Sequence, residues 1–233
     1  NNQFVLDLAT ERETPLTTDG APKVLNGRLD WVYEEEIFGR GTNRAYWWSP
    51  DSSRLAFLRI DDTPVAGFTV VDHIPYEQTV ETWEYPRAGE ANPTARIGVA
   101  RVTGGAVQWI DMQKYASGDH LIMSVSWAPD SQRVLYVVQN RTQTWLDLNM
   151  SKAAGGEGQT LLRETSQTWV GLDDRCIDPS CGTADPVWLK DGSFLRLSSR
   201  TGWPHLYRYQ ADGTLIKQIT DGTWELRVLH GVD

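Results

Sequence analysis

Trp48-Ser49-Pro50-Asp51-Ser52-Ser53-Arg54-Leu55-Ala56-Phe57-Leu58 returns later in the chain as Trp127-Ala128-Pro129-Asp130-Ser131-Gln132-Arg133-Val134-Leu135-Tyr136-Val137. A looser copy follows as Trp188-Leu189-Lys190-Asp191-Gly192-Ser193-Phe194-Leu195-Arg196-Leu197. Each copy reads as an aromatic-ended strand, a turn built on Pro, Asp, Ser or Gly, and a second, apolar strand. Trp48 to Trp127 is 79 residues and Trp127 to Trp188 is 61. Compact propeller repeats run to roughly 40–50 residues, so these units carry insertions.

Outer strands can be read around the same turns. Phe4 to Thr10 followed by Thr14 to Gly20 has the design of Leu206 to Gly213 followed by Lys217 to Gly222, and Ile97 to Val107 and Thr144 to Asn149 fill the equivalent places. Four antiparallel strands per unit, repeated radially, predict an all-β fold of the β-propeller type. The units divide as an outer half-blade at 1 to about 27, then blades at about 45–115, 120–166 and 185–222. Thr223-Trp224-Glu225-Leu226 reads as the start of another. About four blades do not close a ring, so residues 1–233 are expected to be a partial propeller domain. The chain begins at Asn1 rather than Met, which points the same way. The two long insertions are residues 70–94, enough for a projecting hairpin, and the connection from Thr168 through Cys181. Connections on one face of a propeller commonly line its central site.

Composition narrows the functional classes. A net charge of -9 lacks the clustered Lys and Arg that phosphate backbones require, so no nucleic-acid partner is expected. The same charge suits cations or substrates carrying a positive group. Eleven Trp, eight Tyr and five Phe favour strands over helices. No apolar run reaches the ~20 residues of a membrane-spanning helix, and no signal peptide opens the chain. Cys176 and Cys181 are too few for a zinc site, and a small loop disulfide is the expectation, with free thiols left open. If bonded, they indicate an oxidising compartment. There is no Gly-x-Ser-x-Gly elbow, His-Glu-x-x-His, Walker A or Gly-x-Gly-x-x-Gly motif. His73, His120, His205 and His230 are scattered without metal-ligand spacing. We therefore expect no metal, no cofactor and no complete catalytic apparatus in this chain, which alone is expected to be inactive.

One stretch breaks the β pattern. Leu29-Asp30-Trp31-Val32-Tyr33-Glu34-Glu35-Glu36-Ile37-Phe38 places three consecutive acids between large aromatics. Adjacent carboxylates repel, so the arrangement is unfavourable unless solvent or a cation relieves it. Asp30 can cap a short helix whose first turn tolerates acids.

Asp30-Trp31-Val32-Tyr33-Glu34-Glu35-Glu36, followed by Trp47-Trp48-Ser49-Pro50, resembles the propeller domain of the dipeptidyl peptidase IV family of serine exopeptidases. Three more landmarks occur in the family's order: Tyr85-Pro86-Arg87-Ala88-Gly89 with Asn92-Pro93-Thr94, Arg200-Thr201-Gly202-Trp203-Pro204-His205-Leu206-Tyr207, and Thr220-Asp221-Gly222-Thr223-Trp224-Glu225. The resemblance implies an eight-bladed propeller capping an α/β-hydrolase domain whose Ser-Asp-His triad lies outside this chain. It implies that Glu35 and Glu36 bind the N-terminal ammonium of a peptide substrate, with Glu34 facing solvent or an Arg on a neighbouring blade. It further implies homodimer contacts through the 70–94 arm. Trp169, Val170 and Gly171 would belong to a loop of the extended substrate pocket, although that loop is longer here and contains Cys. The implied reaction is release of X-Pro or X-Ala dipeptides. A prolyl tripeptidyl peptidase propeller and a non-catalytic peptide- or protein-binding module are the alternatives. A periplasmic, secreted or membrane-anchored extracytoplasmic location is expected, with the cytoplasm still open.

Overall fold

The computed structural model describes residues 1–116, 119–171, 186–227 and 229–232, and divides into two units of antiparallel sheet. The first comprises residues 1–48 and 52–109 and the second residues 49–51 and 110–233. In the first, β1 (Phe4–Asp7) and β2 (Arg12–Pro15) pair as an isolated ribbon. β3 (Val24–Asn26) and β4 (Tyr46–Trp48) both lie on one edge of β5 (Arg54–Asp61). A two-stranded arm follows, β6 (Gly67–Asp72) with β7 (Thr79–Glu84). The chain then returns as β8 (Thr94–Arg101) on the far edge of β5, next to β9 (Gln108–Asp111).

The strand pattern follows from burial. Leu55, Phe57, Leu16 and Ala100 form a core against which Val5, Tyr46, Val107 and Trp109 pack. Gly98 is a packing requirement here, because a Cβ at that position would come within 2.9 Å of Phe57 and Val107 side-chain atoms. One expectation is corrected. The outer half-blade ends with β2, and Val24-Leu25-Asn26 instead joins the next blade, pairing with Asp61, Ile60 and Arg59. The edge of β5 offers backbone partners along its whole length, and β4 alone covers only Leu55 to Phe57.

The second unit holds two complete four-stranded meanders. The first is β10 (His120–Trp127), β11 (Arg133–Asn140), β12 (Trp145–Lys152) and, after the two-residue β13 (Gly156–Glu157), β14 (Gln159–Thr165). The second is β15 (Val187–Trp188), β16 (Phe194–Ser198), β17 (His205–Tyr209) and β18 (Leu215–Gln218). Val134 to Val138 of β11 are all fully buried, so this strand is covered on both faces and reads as a continuous apolar run rather than an alternation. A buried carboxylate, Asp147, is answered by Arg163 at 2.6 and 2.7 Å and by the Tyr115 hydroxyl at 2.9 Å. Residues 223–226 form no strand of a further blade. Trp224 stands edge-on to the buried His205 with ring centroids 5.2 Å apart, and the Leu226 amide donates to the Pro204 carbonyl. The aromatic is satisfied within the last blade. Cys176 and Cys181 lie outside the described residues.

The repeated turn explains itself chemically. Asp130 accepts from the Gln132 amide at 2.9 Å, and Asp191 accepts from the Ser193 amide at 3.0 Å, two residues on in each copy. The next position is left-handed in all three copies, with φ of 59° at Ser52, 58° at Ser131 and 81° at Gly192. Only the third copy uses the residue that adopts this conformation without a Cβ penalty. Ser52→Gly is therefore expected to stabilise the protein by about 0.5–1 kcal/mol and Ser52→Val to destabilise it, as read from urea unfolding midpoints.

Candidate functional site

The acidic segment is an excursion spliced into one edge strand. β3 and β4 run in the same direction along β5, and the residues between them loop out and come back. The excursion is closed by backbone pairing. The Gly27 amide donates to the Leu58 carbonyl at 2.8 Å, the Leu58 amide to the Ala45 carbonyl at 2.9 Å, and the Ala45 amide to the Gly27 carbonyl at 3.1 Å. Arg28 and Arg44 form a further bridge, and the Leu29 amide bonds the Asn43 carbonyl. Gly27 sits at the branch with φ 71°, and a Cβ there would fall 1.7 Å from the Gln3 side-chain amide. No other residue fits that corner.

Inside the excursion the chain makes one helical turn at Trp31 and Val32, then widens into a π-helix, Tyr33–Gly39. Asp30 caps it, its two carboxylate oxygens accepting from the amides of Val32 at 3.0 Å and Tyr33 at 3.2 Å. Leu29, Val32, Tyr33 and Ile37 are buried and hold one face down, while Phe38 leans on Tyr33 and Trp47 with centroids 6.4 and 5.9 Å apart. Trp31 packs against Tyr85, which in turn meets Phe68 at the base of the arm. Pinning by large aromatics leaves Glu34, Glu35 and Glu36 on the outer side.

The three acids differ in their surroundings. Glu34 accepts from the Gly41 amide at 2.8 Å, where an exposed or Arg-facing side chain was expected. Glu35 is gripped by Arg40, whose Nε lies 2.9 Å from each carboxylate oxygen and whose Nη2 also bonds Oε1. That guanidinium, by hydrogen bond first and charge second, holds the Glu35 carboxyl below its ordinary pKa. Glu36 is exposed and makes no hydrogen bond or ion pair with any described residue.

A second acidic feature lies just past the end of β5. Asp62 is only 5% exposed, and its Oδ1 has no hydrogen-bond partner among the described residues. Burial, followed by the fields of Asp30, Glu84 and Asp61, pushes its pKa up to about 7, against a smaller opposing pull from Lys23. Burial also raises Asp30, partly offset by the amides it caps. Lys23 itself pairs with Glu84 at 3.3 Å.

The loop residues singled out from the sequence are in the second unit. Val170 is buried and tied by its amide to the Gln143 carbonyl and by its carbonyl to the Gln139 side chain, both at 2.6 Å. Trp169 is 68% exposed. Both line a cavity of about 390 Å³ with Gly171, Glu164, Ser199 and Arg200. The rest of that loop, to Cys181, lies outside the described residues.

Residues 1–233 match the family profile described as the dipeptidyl peptidase IV (DPP IV) N-terminal region. The chain belongs to this family. The probable dipeptidyl peptidase 4 of Emericella nidulans is 30% identical over 233 residues, covering 94% of this chain and 29% of the relative. That of Aspergillus flavus is 28% identical over 100% of this chain and 30% of its own length. A crystal structure of Porphyromonas gingivalis dipeptidyl peptidase 4 superposes with a TM-score of 0.84 at 26% identity, covering 100% of this chain and 32% of that one. The chain thus spans about 30% of the length of these DPP IV relatives. Their propeller-type N-terminal fold is the one described above.

Three residues that shape this acidic segment were missed from sequence: Gly27, Arg40 and Asp62. Only Arg40 left a signal, a basic residue close after three acids. Asp62 yields a measurable consequence. Because the folded protein holds this proton more tightly than the unfolded chain, the associated stability is complete below pH about 4 and is lost as pH rises through about 7. Asp62→Asn should therefore stabilise the protein at pH 8 by about 1–3 kcal/mol and by much less at pH 4. Parallel stability–pH curves for the two proteins in chemical denaturation would contradict this.

Proposed function

We propose that this chain is the substrate-gating propeller of a dipeptidyl peptidase IV-like serine exopeptidase releasing X-Pro or X-Ala dipeptides. In this reading the α/β-hydrolase domain with its triad lies elsewhere in the full-length protein, and residues 1–233 supply peptide recognition alone. One observation carries it: in a chain of this family, a rigidly pinned excursion turns three acids outward, two of them next to one another and suited to a cation. Glu35 and Glu36 would anchor the substrate's N-terminal ammonium. The wide π-turn supports the assignment, since more residues per turn splay neighbouring side chains less than an α-helix does. Two charge-assisted hydrogen bonds then set the register of the peptide, so that its second residue meets the nucleophile. A blocked terminus offers neither charge nor donors. Trp169, Val170 and Gly171 are proposed to line the extended pocket.

The arm supports a second element of the proposal, a homodimer. Its strands form a sheet of their own, with Phe68, Val70, Val80 and Trp83 about half exposed and Ile74 and Tyr76 at its tip fully so. Exposed apolar surface of this kind marks a protein interface.

Two measurements test these readings in the full-length protein. Glu36→Gln, and more strongly Glu35→Gln with Glu36→Gln, should lower kcat/KM for a Gly-Pro reporter by about 10- to 100-fold. The low rate on the N-acetylated reporter should stay as it is. Unchanged kcat/KM on the free amine removes the ammonium anchor. Ile74→Asp with Tyr76→Asp should convert a dimer to a monomer by light scattering, and a variant that stays dimeric removes the arm from the interface.

A further inference from the structure

The Glu35 carboxylate is already occupied. Arg40 covers the front of it with two donors, Nε shared between both oxygens and Nη2 on Oε1, a two-donor contact short of the parallel fork in which each oxygen has its own donor. A substrate ammonium seeking the same oxygens meets a cation of the protein's own. This inference rests on the ammonium-anchor reading above and extends it.

Three features make the pair displaceable rather than permanent. The Arg40 side chain is 83% exposed and that of Glu35 23%, so solvent screens the attraction and can rehydrate the guanidinium when it leaves. Arg40 stands between Gly39 and Gly41, at φ of 96° and 87°, and a Cβ on either glycine would meet nothing within 4 Å. A residue flanked by two glycines in open space can swing out without disturbing packing. Finally, the segment is held by bonds that do not pass through the Arg40 side chain, namely Gly41 amide to Glu34 and Thr42 amide to the Gly39 carbonyl at 3.0 Å. The loop can therefore stay in place while the guanidinium moves.

We propose that Arg40 is an affinity-setting residue that occupies Glu35 in the unliganded protein and must be displaced by the peptide's N-terminal ammonium. Glu36, open from the start, takes the incoming cation first, and Glu35 completes the grip once Arg40 has swung away. The displacement weakens every free-amine ligand by the same factor. It therefore lowers affinity across free-amine peptides without reordering them, and narrows their margin over blocked peptides, which have no ammonium to place on Glu35. An exposed ion pair of this kind is worth a factor of about two to five in an equilibrium constant.

The test is steady-state kinetics of the full-length protein with Arg40→Ala, Arg40→Lys and Glu36→Gln, on Gly-Pro reporters with free and acetylated amines. Arg40→Ala is expected to lower KM for the free amine by about two- to fivefold while kcat holds, with Arg40→Lys intermediate. No change is expected on the acetylated reporter. A merely structural Arg40 would not produce this split, and a thermal melt confirms that the variants fold. Should KM be unchanged or raised in Arg40→Ala while Glu36→Gln still loses the free-amine preference, the displacement proposal falls and the anchor survives. If Glu36→Gln keeps that preference intact, the anchor itself falls and takes the proposal with it.

Discussion

Backbone pairing along one edge of β5 is the constraint from which the rest of the acidic site follows. Two short strands, β3 and β4, share that edge in register, and the hydrogen bonds among Gly27, Leu58 and Ala45 pinch the intervening chain into a closed excursion. Strand register has a period of two, so slipping either strand by one residue would turn Leu25 or Tyr46 out of the sheet's buried side. The excursion is thereby placed to within a hydrogen bond at both ends. A π-helix of seven residues would be marginal in water, and here it needs only to fold within fixed endpoints.

Charge is the second organising theme. The excursion concentrates Asp30, Glu34, Glu35 and Glu36, with Asp62 within reach of the charge of Asp30, and each is answered differently. Asp30 is spent on the helix cap, Glu34 on a backbone amide and Glu35 on Arg40, while Asp62 is left buried with a raised pKa and one oxygen that has no partner among the described residues. Glu36 alone is left exposed with no partner among the described residues. Local neutralisation is what allows three adjacent acids to sit on a folded surface. It also means that the acids presented to a ligand are not equivalent, an asymmetry invisible in the string Glu-Glu-Glu. The aromatic chain Phe68–Tyr85–Trp31 runs from the base of the arm to the start of the helix, so the arm and the acids share one set of packed rings.

How much was legible depended on range. The blade turns could be read directly, because Asp130 and Asp191 bond amides two residues away and such chemistry is written in the local sequence. The acidic helix and its cap were legible for the same reason. Val24-Leu25-Asn26 was assigned to the wrong blade, since three residues carry no periodicity and their partner lies more than thirty residues away, at Arg59 to Asp61. Trp224 looked like a new strand because an aromatic beside a Thr-Glu pair suits one, yet it packs on His205.

Local residue order was enough to specify the all-β repeat, its Asp-centred turns, the acidic character of the chain and the run of three acids. Each of these depends on contacts within a few residues or on composition. Which acid is paired, which is open and which is buried follows from three-dimensional packing instead. Arg40 reaches Glu35 through the width of a π-turn, and Asp62, just past the end of β5, feels the charge of Asp30 from a distant part of the chain. Charges of like spelling separate by environment, and environment is set by chain segments that the local sequence does not mention.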